Sequence, residues 1–448
     1  KVFAGSVNGE GALEMRVTRL ARDSTLARVA RMVEEAQTQK SPTQQAVERF
    51  ERVFVPSVLV ATALIIVLPP LFGWPWRDAF LRAMTLLVAA SPCALALGTP
   101  AAVLAGVAQA ARHGVLIKGG VHLENLGRLR ALAFDKTGTL TYGRPEVTDV
   151  LPVVSTEPAG GESADALLAL AGAVESRSGH PLAQAVVRAA RVKGLSAEAV
   201  GAVESLTGRG LRAEVNGQPV LIGTVRLMEE SGVAMPAGAQ EQVDALQAQG
   251  KTTMLVVVAG RVRGVIALAD TLRPEVPATM AALRALGVGE IVMLTGDHTR
   301  VAEAVARQAG VTRVAAELMP EDKLAAIREL GERFGVVAMV GDGVNDAPAL
   351  ANATVGIAMG GAGTDVALET ADVALMADDL AKLPFAVSLG RATRAVIQQN
   401  LALALGVIAL LVVTSLAGVT GIGVAVVLHE GSTLAVVGNA LRLLAHRP

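Results

Sequence analysis

Asp135 closes a short apolar run, "LRALAF", and opens "DKTGTLT". An aspartate at the end of a strand can act as a covalent nucleophile on phosphorus. Thr137 adds a backbone N–H and a hydroxyl, and Gly138 lets the turn approach a phosphate closely. Lys136 belongs to the same motif, but an extended backbone points it away, so the cationic clamp is expected from Lys323 in "MPEDK". Two further acids, Asp342 and Asp346 in "GDGVNDAP", lie four residues apart. On the first turn of a helix that spacing puts them on one face. With Asp135 and Thr137 they offer Mg²⁺ hard oxygen ligands, Asp342 foremost. Asn345 between them can donate to a phosphoryl oxygen, and Thr295 and Asp297 of "LTGD" add a hydroxyl and a carboxylate. Such a set works by positioning and electrostatics during in-line phosphoryl transfer.

A second chemistry sits in "LLVAASPCALALGTP", which holds Cys93, the one cysteine of the chain, directly after Pro92. Proline removes a backbone donor and frees carbonyl oxygens one turn earlier. In lipid such a gap persists only where protein or ligand lines it. A plain proline kink beside a buried cysteine is the alternative. Far along the chain, "LHEGST" puts His429 and Glu430 among apolar residues, and ionisable groups at membrane depth are costly and functional. Thiolate, imidazole and carboxylate together suit Zn²⁺, Co²⁺ or Cd²⁺ better than Cu⁺, which favours several sulfurs.

These residues need elements to hold them. The chain has 448 residues, 52% of them hydrophobic, with 2% aromatics and a net charge of −1. It is too long for one ordinary core, and its charge gives no reason to expect nucleic acid. One cysteine excludes an intrachain disulfide framework. Four apolar runs, at 53–73, 79–107, 401–417 and 419–441, are long enough to span a bilayer. They come in two pairs around a long insertion. Basic residues flank the inner ends (Arg112, His113, Lys118, Arg391, Arg394, Arg442, Arg447), which places that insertion in the cytoplasm. Within it, helices at 274–286, 300–309 and 321–331 alternate with the strands "IVML" and "GVVAMV". That pattern predicts a parallel sheet whose strands deliver Asp135, Asp297 and Asp342 to one edge.

Between Asp135 and Asp270 a helical stretch over 163–200 and hairpins at 211–224 and 253–269 are expected. No G-x-x-x-x-G-K-[ST] loop occurs, so a nucleotide donor must be held otherwise. "VESRSGHPLAQAV" supplies Glu175 and His180, and "LTGRGLRAEV" supplies Gly208 and Gly210. A histidine in a helix-initiating turn can stack on or bond to adenine, and two glycines one residue apart allow close approach to ribose or triphosphate. An ordinary surface histidine is the competing reading.

"DKTGTLT", "TGD", "GDGVNDAPAL", "SGHPLAQAV", "GRG" and "SPC" together resemble the heavy-metal-transporting P-type ATPases over about residues 1–446. The resemblance implies a multidomain membrane protein. It would have a helical transmembrane bundle, an α/β haloacid-dehalogenase-like phosphorylation domain with an inserted α+β nucleotide-binding domain, and a partial β-rich actuator domain. The implied boundaries are 1–50 for the carboxy-terminal part of the actuator, 51–115 and 385–448 for helix pairs carrying the SPC and HEGST motifs, 116–144 and 266–384 for the phosphorylation domain, and 145–265 for nucleotide binding. Asp135 would be the phosphorylated residue. Glu175, His180, Gly208 and Gly210 would bind ATP, with Mg²⁺ as cofactor. Ser91, Cys93, His429, Glu430 and Thr433 resemble the cobalt-type subgroup's site for the transported metal, linked to cobalt, zinc, cadmium and sometimes iron export.

The family's "IGN" asparagine is replaced by Thr224 here, and its TGE loop and earlier membrane helices would lie before Lys1. The expected partners are therefore the lipid bilayer and that amino-terminal portion, in a monomer of the bacterial inner membrane with cytoplasmic catalytic domains. A soluble phosphatase, a pump for Cu⁺, Fe²⁺ or a hard cation, and a non-enzymatic metal sensor are the rival readings.

Overall fold

The computed structural model describes residues 41–153, 163–195, 200–206, 209–342, 346–360 and 371–447. The expected actuator strands, Gly208 and Asn345 lie outside them. In chain order the described elements open with α1 (Pro42–Leu71), α2 (Trp76–Ala89) and α3 (Cys93–Arg112). Next are β1 (Val115–Ile117), α4 (Gly120–Gly127) and β2 (Ala131–Asp135). The insertion holds β3 (Glu146–Pro152), α5 (Ala164–Glu175), α6 (Pro181–Val192), β4 (Val200–Leu206), β5 (Gly210–Val215) and β6 (Gln218–Gly223). It continues with α7 (Val225–Glu230), α8 (Ala237–Ala248), β7 (Thr252–Val258) and β8 (Arg261–Ala269). The chain then gives α9 (Val276–Ala285), β9 (Glu290–Leu294), α10 (Thr299–Ala309), β10 (Arg313–Ala315), α11 (Pro320–Phe334) and β11 (Val337–Gly341). Last are α12 (Ala347–Asn352), β12 (Val355–Met359), β13 (Val373–Leu375), α13 (Lys382–Leu416) and α14 (Ile422–Leu441).

Helices over Pro42–Leu71, Trp76–Arg112, Lys382–Leu416 and Ile422–Ala445 are long and apolar enough to cross a membrane. The first begins well before the apolar run. Ser41 caps it by accepting a hydrogen bond from the Gln44 N–H, so residues 42–50, expected as the tail of a separate domain, form its opening turns. The second is two helices: the chain leaves helical geometry at Ala90 and resumes at Cys93, with Pro92 at the cap. A pyrrolidine ring there removes the donor that would continue the first helix. Asn400, buried on α13, donates to the carbonyls of Gly98 at 3.4 Å and Val436 at 3.2 Å, and accepts from Asn439 at 2.9 Å. It thereby fastens α13 to α3 and α14, the use polar side chains have between helices in lipid. Asn439 also donates to Gln399.

Seven strands form a mostly parallel sheet in the order β1-β13-β12-β11-β2-β9-β10, with only β1 antiparallel to its neighbour. Period-two alternation along β2 splits the core. Leu132 and Phe134 face α3, α4, α9, α10 and α13, while Ala131 and Ala133 face α11 and α12. The insertion is a separate six-stranded antiparallel sheet, β3-β8-β7-β6-β5-β4. Leu211, Ala213, Val215 and Ile222 pack under α5 and α6, while Leu221, Leu255 and Val257 pack under α7 and α8. The helical stretch expected over 163–200 is two helices, because Ser178–Pro181 breaks it and His180 caps the second.

Candidate active site

β2, β9 and β11 are neighbours in the parallel sheet, so their carboxyl ends open on the same edge. Asp135 ends β2 and is 7% exposed. Lys323, on the first turns of α11, donates from Nζ to Asp135 Oδ1. Burial pushes the Asp135 carboxyl up, and Lys323 opposes that, both as a charge and as a hydrogen-bond donor; nearby Asp342 pushes the same way as burial. Lys323 is itself 8% exposed. A buried ion pair of this kind destabilises strongly if either partner is removed.

Lys136 turns away from the nucleophile, as its place in the chain suggested, but it is not idle. Its ammonium lies 2.6 Å from Asp297 Oδ2 and ties the "DKTGT" turn to the loop after β9. Thr295 is buried there, and its hydroxyl accepts from the Asp297 N–H at 3.1 Å. Residues Lys136–Leu140 form a tight turn in which Thr137 is extended and Gly138 has φ +76°. A β-carbon on Gly138 would sit 2.7 Å from Asp342 Oδ2. The turn and the acid after β11 are therefore in close contact, and only glycine fits.

Asp342 follows β11, and α12 starts at Ala347 with Asp346 at its cap. Asp346 is pressed against the end of β11: a β-carbon on Gly341 would fall 1.6 Å from its Oδ2. Asp346 is raised to about 6, first by burial and then by the charges of Asp135 and Asp342. Asp346 is buried and is pushed by the charges of both Asp135 and Asp342, so the acids at this edge repel one another.

Two residues that sequence reasoning missed hold this turn. Asp270, directly after β8, accepts from Thr141 Oγ1 at 2.5 Å and from the N–H groups of Gly143 and Arg144, both at 3.1 Å. It thus joins the two strands of chain that link the sheets. Arg273 is buried and donates to the carbonyls of Thr141, Gly138 and Asp378, with its guanidinium 4.9 Å from the Tyr142 ring centroid. The available signal was their position: both follow the last strand of the insertion, where the chain must re-enter the first sheet.

In the insertion, Glu175 is buried at the end of α5, and burial alone pushes it up to about 7. His180 is exposed, and its Nδ1 accepts from the Leu182 N–H at 3.3 Å, an ordinary helix cap. Gly210 begins β5 and pairs with Gly223 of β6. Thr224, at the position of the family's asparagine, caps α7 by accepting from the Leu227 N–H.

The membrane residues are less assembled. Ser91 Oγ and Cys93 Sγ are 3.1 Å apart at the helix break. His429 is buried in the bundle, and its carbonyl accepts from Ser432 Oγ at 2.7 Å and Thr433 Oγ1 at 3.3 Å. The Glu430 side chain is 65% exposed on the outer surface of α14. Its Oε1 lies 4.0 Å from His429 Nε2 on the same helix. Among the described residues no group of three or more His, Cys, Asp and Glu side chains could hold a metal ion.

An aspartate ends a strand at the edge of a parallel sheet, paired with a lysine and near two more acids, and the model of the haloacid dehalogenase-like hydrolase family matches residues 129–354. Over the whole chain the relatives are narrower. A probable cadmium-transporting ATPase of Staphylococcus aureus strain MRSA252 is 43% identical over 99% of this chain and 61% of its own length. The zinc-transporting ATPase of Bacillus subtilis strain 168 is 43% identical over 99% of this chain and 68% of its own. A crystal structure of a zinc-transporting PIB-type ATPase in the E2.Pi state superposes with a TM-score of 0.71 at 44% identity, over 96% of this chain and 68% of that one. The chain belongs to the heavy-metal-transporting P-type ATPases and is an integral membrane protein. It spans about 61% of the length of the curated relatives it matches first.

Proposed function

We propose that this chain forms the phosphorylation core and part of the metal path of an ATP-driven exporter of a divalent transition metal, Zn²⁺, Cd²⁺ or Co²⁺. The observation that supports it most is the buried Asp135–Lys323 pair, set at one sheet edge with Asp342 and Asp346, in a chain whose second span breaks at Cys93. The printed names of the relatives, for cadmium and zinc, agree with a mixed sulfur, nitrogen and oxygen donor set.

An oxygen of Asp135 attacks the γ-phosphorus of ATP, the bond to the ADP oxygen breaks, and an acyl phosphate forms. Lys323 opposes the upward push of burial on the attacking carboxyl and offsets charge as phosphate approaches. The Lys136–Asp297 pair fixes the turn, so Thr137 can present its N–H and hydroxyl. Asp342, Asp135 and Thr137 would hold Mg²⁺, which when bound neutralises charge on the transferring phosphoryl group. Asn345 and Thr295 complete the polar lining. The insertion holds ATP, with Glu175 and His180 toward the base and Gly208 and Gly210 at the close approach. Later hydrolysis returns the carboxylate and inorganic phosphate. Ser91, Cys93, His429, Glu430 and Thr433 receive the metal, and bringing them together requires α14 to turn or unwind. The protein acts as a monomer in the plasma membrane, with both sheets on the cytoplasmic side and the amino-terminal portion of the family completing the bundle.

The test is transfer of labelled γ-phosphate from ATP, with Zn²⁺, Cd²⁺, Co²⁺, Fe²⁺ or Cu⁺ added in turn. A hydroxylamine-labile label that appears with Zn²⁺, Cd²⁺ or Co²⁺ supports the reading. A label indifferent to metal, or raised by Cu⁺ alone, contradicts it.

A further inference from the structure

The short segment Arg442–His446 follows α14 and crosses the inner ends of two other helices. Gln109, 4% exposed near the end of α3, donates from Nε2 to the His446 carbonyl at 2.6 Å. The Gln109 amide oxygen is buried and makes no hydrogen bond among the described residues, so the contact to the segment is the hydrogen bond that holds this side chain. His446 Nε2 lies 2.6 Å from Ser388 Oγ on α13. The Phe385 ring of α13 fills the space between, with its centroid 4.6 Å from that of His113 and 5.9 Å from that of His446. His113 caps α3 and bonds through Nδ1 to the Gln109 carbonyl at 3.0 Å. Leu443 and Ala440 are buried in the same core as Ala110 and Phe385.

The placement matters because of what each helix carries. α3 begins at Cys93 and hands over at Gly114 to β1, which pairs with β13 in the sheet of Asp135. α14 carries His429. We infer that Arg442–His446 is a strap through which the position of the metal-site helices is passed to the phosphorylation sheet. Hydrogen bonds of 2.6 Å weaken steeply with displacement, so an axial shift of α3 or α14 breaks this junction rather than stretching it. Two discrete arrangements of a packed junction are the usual basis of such coupling. Gln109, Ser388 and His446 are positioning residues that touch neither metal nor phosphate.

This inference rests on the proposed function, and one experiment separates the two. In membranes containing the whole chain, phosphorylation by labelled ATP is measured with and without Cd²⁺, alongside ATP affinity and melting temperature, for the wild type, His446→Ala, Gln109→Leu and Ser388→Ala. A strap predicts that the ratio of label with and without Cd²⁺ falls about 5-fold or more, the lower range for coupled sites, while ATP affinity holds. An unchanged ratio overturns the strap, as does a ratio that falls together with ATP affinity and melting temperature. Ser388→Ala removes one half-buried hydroxyl and decides the matter if Gln109→Leu does not fold. A wild type that takes no label under any metal overturns the proposed function, and the strap with it.

Discussion

The proposed phosphoryl site and the proposed membrane metal site reach very different states of assembly. At the sheet edge, Asp135 is already paired with Lys323, Lys136 with Asp297, and Gly138 touches Asp342. In the bundle, Cys93 bonds to Ser91, His429 is buried, and Glu430 looks outward. A parallel sheet fixes its strand ends through backbone hydrogen bonds, so acids at those ends converge whatever the rest of the chain does. Helices in lipid meet through side chains and can rotate about their axes at modest cost. Chemistry that must stay poised is thus placed on the sheet, and a site that must open to two sides is placed on helices.

The largest test of this contrast is Asp135→Asn, which keeps the shape of the site and removes the nucleophile. Phosphoprotein should vanish while metal binding stays within a few-fold. Acid-stable, hydroxylamine-labile label in that variant would locate the nucleophile elsewhere. Next is Lys323→Ala, which leaves Asp135 buried without its clamp. Loss of such electrostatic support lowers phosphorylation rates by about 10²–10³-fold, readable by rapid quench. A fall under 10-fold would show that the pair serves folding more than transfer.

Glu175 gives a smaller effect with a defined sign. Its folded pKa, raised to about 7, exceeds the ordinary 4.5, so the folded state favours the neutral carboxyl. The stability it contributes is complete below about pH 4.5 and is lost as pH rises through 7, by up to about 3 kcal/mol. Glu175→Gln should flatten that slope in thermal melts between pH 5 and 8; an unchanged slope would assign it to other groups. The smallest effect concerns the loose site. His429 and Glu430 are both proposed ligands, so His429→Ala and Glu430→Gln should each weaken Cd²⁺ binding by about 10-fold or more. A loss confined to His429→Ala in titrations of the purified protein would remove Glu430 from the site.

The readable parts of the sequence were those where local pattern and topology agree. Three acids each followed an apolar strand, and the sheet brought Asp135, Asp297 and Asp342 to one edge. The helix break before Cys93 followed from Pro92 alone. The Asp342–Asp346 spacing carries less than it suggests, because α12 begins only at Ala347 with Asp346 at its cap. Asp270 and Arg273 were invisible for another reason. Their partners, backbone groups and the Thr141 hydroxyl, lie more than a hundred residues away, and no periodicity marks a side chain whose work is to hold a distant turn. Glu430 shows the limit for helices: it neighbours His429 in sequence and lies 4.0 Å from its ring, yet one side chain is buried and the other 65% exposed.

The length of α13 has a consequence for how this molecule tolerates change. It is one unbroken helix of 35 residues, roughly 50 Å long, shared by the soluble sheet and the bilayer. A rod of that kind carries phase as well as position. Adding one residue between Leu389 and Asn400 would rotate everything beyond it by about 100°, swinging Asn400 away from α3 and α14. Adding four would nearly restore its angle but lift it by about 6 Å, past the Gly98 carbonyl. Insertions therefore belong in the turns of the six-stranded sheet, where no such angular bookkeeping exists.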